Sequence, residues 1–439
     1  MIELEEIQGQ LLIDGYSLDF CSGKIDKFIL RLFPISSLSN QEIKTNQLYQ
    51  LGLSNYPDDR VSKVEVLELS ARQIIDRLET FGYTIDRSKN EFERARTKIL
   101  STQFSDINGD SDFKYPDFPD QAAFETPRKS REYFVTLDFE TFLKACQVII
   151  QQKRRRILKV IDGKNKSIIP EDISNPIERY LVCNGLGSAM FDDKISYIRL
   201  LIDKINPDSK VQYLFDGFPI KNMSDISKVY SYYFDPKELS TKYGLQTLII
   251  TEGITDTKYL NFALSRCFPH LVDLFYFMDF TINGGNADSV VKVTLSLASS
   301  GIPNNIVALF DNDFEGNRAK RELETRLFPL PSNVYILSYP DIEIAMNYPI
   351  LKSGNAIEYA NVNGRGCAIE MFLGEDILSE DSKLIPLTEN QNGQFSFRSK
   401  NKTIIQKKFE KKIDNGICES DLFGLNKIIS TILEKLKKK

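Results

Sequence analysis

The sequence predicts an α/β architecture: a parallel sheet wrapped by helices in the second half of the chain, preceded by an N-terminal α+β region and a mainly helical middle region. Three observations predict it. From about residue 245, short apolar runs alternate with helix-length amphipathic runs at the spacing of βαβ units. Near the start, "GQLLIDGYSLDF" sets Asp-Gly between two apolar runs, a hairpin signal. In the middle, "DFETFLKACQVIIQQKRRRILKVI" carries apolar residues at helical spacing. With 439 residues at 42% hydrophobic, the chain exceeds what one core organises, and two or three domains are expected.

The first region is placed at residues 1–127. After the hairpin, "KVEVLELSARQIIDRLETFGY" reads as a helix-period run closed by Gly82. The stretch "SDINGDSDFKYPDFPDQAAFETP" is rich in Asp, Gly, Ser and Pro; without a terminal glutamate at calcium-loop distance it reads as a solvated linker. The second region, 128–240, contains the amphipathic run quoted above and "DKISYIRLLIDKI". Its basic cluster Lys153, Arg154, Arg155 and Arg156 is a candidate phosphate-contacting face, or a solvated helix face.

Composition excludes several classes of chemistry. A single histidine, His270, removes histidine-rich metal centres and the usual triads. The six cysteines have no C-x-x-C pair, so neither a zinc site nor a disulfide framework is suggested. No apolar run is long enough to span a membrane, and the acidic N-terminus is unlike a signal peptide, so a cytoplasmic protein is expected. There is no G-x-x-x-x-G-K-[ST] stretch for an ATPase. A net charge of -5 gives no general attraction to nucleic acid, which would require local basic patches or bound metal.

The third region, 241–345, is read element by element: strand "QTLIIT", helix "ITDTKYLNFALSRCF", strand "LVDLFYFMDF", a Gly-Gly turn at 284 and 285, and helix "NADSVVKVTLSLASS" closed by Gly301. Strand "NIVALF", acidic loop "DNDFEG", helix "NRAKRELETRLF" and strand "NVYILSYP" follow. In such a sheet the carboxyl ends of the strands form the ligand-binding edge. Glu252 follows the first strand and Asp311 and Asp313 follow the third, so all three fall there. Converging carboxylates must take up protons or share a cation. With no histidine or cysteine nearby, hard oxygen ligands select Mg²⁺ or Mn²⁺. Gly253 is expected to leave room for metal, water and phosphate beside Glu252. The remaining residues, 346–439, are expected to pack on this domain as a C-terminal extension.

The pair formed by "TEG" at 251–253 and "DND" at 311–313, in this order within a βαβ array, resembles the Toprim fold of primases, topoisomerases, RecR, ribosomal-RNA maturases and the overcoming-lysogenisation-defect (OLD) nucleases. The resemblance covers residues 245 to about 340. It implies Glu252 as the first-motif glutamate and Asp311 and Asp313 as the D-x-D pair, with Asp256 matching a further acidic position of OLD-type nucleases. "LLIDGYSLDFCSGK", "YPDIEIAMNYP" and "NVNGRGCAIEMFLG" are similar to bacterial proteins with a HEPN/Toprim-associated N-terminal domain. A HEPN ribonuclease activity is not implied, because His270 offers only Arg266, at the wrong spacing and inside the Toprim region.

The resemblance implies a Mg²⁺- or Mn²⁺-dependent endonuclease, DNA favoured, in anti-phage defence, hydrolysing phosphodiesters with one metal ion or with two about 3.5–4 Å apart. Glu252 and Asp311 would hold the first ion, with Asp256 near it. Asp313 would favour the second, with Glu343 and Glu370 as candidates to complete its site. Lys258, Arg318 and Lys320 are candidate phosphate contacts, with Arg154 and Arg155 of the basic cluster. The alternatives are a non-cutting sensor or scaffold partnered with a separate ATPase, and a topoisomerase- or primase-like enzyme. A homo-oligomer is compatible with any of these.

Overall fold

In this computed structural model the described residues are 8–18, 23–24, 26–45, 60–101, 137–155, 157–161, 164–168, 170, 172–183, 186, 191–216, 246–278, 285–352, 356–389 and 393–437. The chain divides into two units, Met1–Asp235 and Pro236–Lys439. Among the described residues no helix is long and apolar enough to cross a membrane.

The first unit is α+β. Strand β1 (Gln8–Ile13) turns at Asp14 and Gly15, both at positive φ, into β2 (Tyr16–Ser17), the twist that an Asp-Gly hairpin supplies. The sheet continues with β3 (Gly23–Lys24), helix α1 (Lys27–Arg31), β4 (Leu38–Lys44) and β5 (Val61–Ser70). Then come α2 (Ala71–Thr80), α3 (Ile85–Ser101), α4 (Phe139–Gln151), the hairpin β6 (Ile157–Ile161) and β7 (Lys164–Ile168), α5 (Pro176–Cys183), α6 (Lys194–Ile202) and β8 (Lys210–Asp216). The sheet order is β2-β1-β8-β5-β4, antiparallel throughout, with β3 on β1. Leu11, Ile13, Leu67, Leu69, Val211 and Tyr213 face helices α2, α4 and α6 in one core with Phe92, Phe142 and Tyr197.

Two sequence expectations are corrected here. The run "KVEVLELSARQ…" is not one helical stretch. It is strand β5 up to Ser70, where a capping box starts α2: Ser70 Oγ accepts the Gln73 N–H and Gln73 Oε1 accepts the Ser70 N–H. The run from Asp138 likewise stops being helical at Gln151, with Lys153 at φ +51, and Ile157–Ile161 is a strand. The middle region is therefore not simply helical: its strand β8 lies between β1 and β5. The Asp-Gly-Ser-Pro-rich linker lies outside the described residues.

The second unit is α/β. It opens with β9 (Thr247–Ile250), α7 (Ile254–Cys267), β10 (Phe275–Phe277), α8 (Ala287–Ser299), β11 (Ile306–Phe310), α9 (Phe314–Arg326) and β12 (Val334–Ser338). These strands form a parallel sheet in the order β10-β9-β11-β12. All five residues of β11 are buried, as a central parallel strand requires. Helices α8 and α9 share a core with Ile250, Ile306, Ala308, Phe310, Val334 and Ile336. The step β9→α7→β10 moves to one side and β11→α9→β12 to the other, so right-handed crossovers send α7 and α9 to opposite faces. The crevice between the carboxyl ends of β9 and β11 is the switch point where such sheets bind ligands.

Residues beyond β12 build a second sheet and a helical cover. Strands β13 (Tyr348–Leu351), β14 (Ile357–Ala360), β17 (Leu387–Glu389) and β18 (Phe395–Ser396) pair in the order β14-β13-β17-β18. The short helix α10 (Glu375–Leu378) leads into a hairpin of β15 (Ser379–Glu380) and β16 (Lys383–Leu384). Helices α11 (Ser399–Asp414) and α12 (Phe423–Lys437) close the chain. The fully buried Phe409 of α11 meets Tyr259 of α7 edge-on, ring centroids 4.8 Å apart.

Candidate metal centre

Glu252 leaves β9 and reaches across the switch point, where its Oε1 accepts the backbone N–H of Asp311 at 2.9 Å. Asp313 caps α9, its Oδ1 accepting the Gly316 N–H at 2.7 Å. Gly316 is required by the closeness of this corner: a Cβ there would stand 2.3 Å from the Asp311 carbonyl oxygen and 3.0 Å from Glu252 Oε1. Asp256, buried in the first turn of α7, accepts the Tyr339 hydroxyl at 2.5 Å. Gly253 serves this carboxylate and not the space beside Glu252, since a Cβ would meet Asp256 Oδ2 at 2.8 Å.

The electrostatics follow from this packing. Burial pushes the Glu252 carboxyl up to about 8, aided by the charges of Asp313, Asp256 and Glu315 and opposed by the Asp311 N–H. Burial raises Asp256 to about 6, with the Tyr339 hydroxyl and Lys402 pulling it back and Glu370 adding to it. Asp311 lies well above the ordinary carboxylate range, first through burial and then through Asp256, Glu252, Asp313 and Glu370. Asp313 is raised by burial and by Glu315, against the Gly316 N–H and Lys402. The Asp311 Oδ1 is buried with no hydrogen-bond partner. Buried polar atoms in native proteins rarely lack one, and a carboxylate oxygen surrounded by other carboxylates is a place for a proton or a cation.

The outer residues divide. Glu370 is 2% exposed and joins the group. Its Oε1 accepts Gln406 at 3.2 Å and its Oε2 stands 3.9 Å from the Lys402 ammonium. Glu343 is exposed, at the start of a 3-10 turn, and so is not part of the buried carboxylate group. A helix-start carboxylate is the physical reading of it. Lys258 pairs with Glu410 at 2.5 Å, and Arg318 pairs with Asp288, Glu315 and Glu322. Lys320 lies on the outer face of α9. In the first unit, Arg154 pairs with Glu178, and Arg155 donates to the Gly15 carbonyl at 2.8 Å and covers the Tyr16 ring.

Several site residues escape sequence reasoning. Asn312, between the two aspartates, exchanges backbone hydrogen bonds with Cys367 at 2.9 and 3.1 Å and donates its side-chain amide to Asp341 at 2.8 Å. Tyr339, which opens "YPDIEIAMNYP" but is not singled out by it, and Lys402 and Gln406, which lie in no motif, also act on the carboxylates. The signal for Asn312 is its place between two ligand candidates. For Lys402, inside "SKNKTIIQKKFEKK", no local signal exists.

Glu252, Asp311 and Asp313 suit a hard divalent cation by donor type, by charge and by the unsatisfied Asp311 oxygen. No group of three or more His, Cys, Asp or Glu side chains among the described residues is arranged as a ready ligand set, so these side chains would have to close on the ion.

Residues 8–217 match the family model described as HEPN/Toprim N-terminal domain 1. The match supports the HEPN/Toprim-associated family. It lies within the first unit and ends before β9. No curated protein and no solved structure matches the chain.

Proposed function

We propose that this chain is a metal-dependent nuclease that hydrolyses phosphodiester bonds of nucleic acid, DNA favoured, with Mg²⁺ or Mn²⁺ as cofactor and a role in bacterial anti-phage defence. Asp311 is the observation that carries the reading. A buried carboxylate with an unsatisfied oxygen, raised first by burial and then by four acidic neighbours at the switch point of a parallel sheet, supports a cation site there. The HEPN/Toprim match of the first unit supports a nuclease-related setting.

In this reading Glu252, Asp311 and Asp313 hold the ion. Asp256 is fixed behind them by Tyr339, and Glu370 is oriented by Gln406 and Lys402. The bound ion would lower the pKa of water and offset charge on the phosphate. Lys402 supplies a positive side chain whose charge acts on Asp256 and Asp313. Asp313 as N-cap ties its carboxylate to the rigid start of α9.

The test is incubation of plasmid DNA, linear DNA and RNA with the full chain in Mg²⁺ or Mn²⁺, with and without EDTA, beside Asp311→Asn. Metal-dependent cleavage that Asp311→Asn abolishes supports the proposal. A second reading, a non-cutting sensor or scaffold partnered with a separate ATPase, is favoured by the lack of a G-x-x-x-x-G-K-[ST] stretch in this sequence. It predicts metal binding to the wild type, lost in Asp311→Asn, with no cleavage of any substrate.

A further inference from the structure

A groove of about 420 Å³ runs along the outer face of α9, lined by Phe314, Asn317, Lys320, Arg321 and Glu324 with Gly364 on the facing turn. The helical residues recur at three- and four-residue spacing, so they form one stripe. Asn317 Nδ2 reaches the Gly364 carbonyl at 3.4 Å and ties the two walls together. The stripe begins at Phe314, the residue after Asp313, so the groove starts where the carboxylate site ends.

We infer that this groove holds single-stranded nucleic acid running away from the carboxylates, with one unstacked base against the Phe314 ring and phosphates at Lys320 and Arg321. The inference rests on the nuclease reading above and names the form of its substrate.

The charges on α9 point to it. Arg318 is neutralised by three carboxylates and Arg326 by Glu322, whereas Lys320 and Arg321 carry no ion pair among the described residues. Two uncommitted cations beside an acidic site are what a polyanion passing that site requires. Phe314 is 47% exposed at the first turn of the helix. One exposed aromatic is ordinary, but this one lines a groove with the two free cations, the combination of stacking surface and basic track used for single strands. Lys320 and Arg321 lie about 10 Å along the helix axis from Asp313 at 1.5 Å per residue. A strand covers that distance with about three phosphates at 3.4 Å spacing, or fewer once unstacked. The volume is that of a small-ligand site, enough for a base and its sugar and too small for a double helix.

The test is fluorescence anisotropy of the full chain in EDTA, using a labelled oligothymidylate and a blunt duplex of equal length. The expected result is preference for the single strand, weakened about tenfold by Phe314→Ala and restored by Phe314→Tyr. Changing Lys320 and Arg321 together to Gln should reduce the salt slope by about 1.4, from about 0.7 per neutralised phosphate. Failure of the wild type to bind the single strand overturns the inference, as does Phe314→Ala binding like wild type or equal loss on duplex. A Mn²⁺ cleavage assay on the same preparations separates the two proposals. Absent cleavage with the binding pattern intact removes the nuclease reading alone, while cleavage with an indifferent groove removes this inference alone.

Discussion

Glu252 accepts the backbone N–H of Asp311 across 2.9 Å, so the carboxylate ending one strand fixes the path of the chain leaving its neighbour. Glu252→Gln keeps an oxygen able to accept that N–H and removes the charge. The expected outcome is a melting temperature at or above that of the wild type with cleavage reduced on the order of 10²-fold or more. Cleavage by Glu252→Gln across a Mn²⁺ titration, read beside a melting curve, checks it. Wild-type rates at every metal concentration would remove Glu252 from the site.

Asp311 and Asp313 differ in what else they do, and their variants should differ accordingly. Asp311→Asn removes one of several repelling charges and gives the buried position an amide that can donate to a neighbouring carboxylate, so metal-free stability should rise. Asp313→Ala relieves the same repulsion but loses the α9 cap, which costs about 1 kcal/mol, so it should bring little or no gain. Both should lose cleavage. Denaturant melts in EDTA compare the two, and an Asp311→Asn protein less stable than wild type would contradict the electrostatic account.

The raised carboxyls set the direction of the pH dependence. Glu252 at about 8 and Asp256 at about 6 bind protons more tightly in the folded chain than their ordinary values of 4.5 and 3.8 allow. Their protonated forms therefore add stability that is complete below about pH 4 and is lost as pH rises through 6 and then 8. Metal-free protein should lose stability, and with it melting temperature, as pH rises across this range. Mg²⁺ or Mn²⁺ should restore it most at the alkaline end. A melting temperature that rises with pH in EDTA would count against the cluster.

Tyr339→Phe tests the support behind the ligands. The change leaves Asp256 buried without its hydroxyl donor, which costs about 1–3 kcal/mol. Asp256 should then hold its proton to higher pH, so the Mn²⁺ concentration for half-maximal cleavage should rise while the maximal rate changes less. A metal titration measures this. An unchanged midpoint would make Tyr339 a packing residue only.

The parallel sheet was legible because β9, β11 and β12 are largely buried and read as continuous apolar runs, and because Glu252, Asp311 and Asp313 follow β9 and β11. The first unit was less legible. In "VEVLELSARQ" strand and helix meet without a Gly or Pro, and the only marker is Ser70 with Gln73 three residues on. The strands at 157–168 were hidden by a basic run after a strong amphipathic helix, although Asp162-Gly163 between them carries the same dipeptide as the first hairpin. On the far side of the carboxylate group only Glu370 was legible, as a candidate ligand beyond the parallel sheet. Tyr339, just after β12, and Lys402 and Gln406, both on α11, are brought to it by packing, and no local feature marks any of the three as a site residue.

The backbone bridge between Asn312 and Cys367 bears on how the chain can be divided. A fragment ending after β12 would retain the four parallel strands, Glu252, Asp256 and both aspartates. It would lose Asp341, which holds the Asn312 amide, and the Cys367 strand segment that fixes Asn312 on both sides, along with Glu370 and Lys402. The loop between the aspartates is thus assembled from two stretches of sequence about fifty residues apart, and neither is sufficient alone. Grafting "DND" onto another sheet would move the ligands without the clamp that aims them, and proteolytic nicking anywhere between 341 and 367 should disarm the centre even with every strand of the parallel sheet still in place.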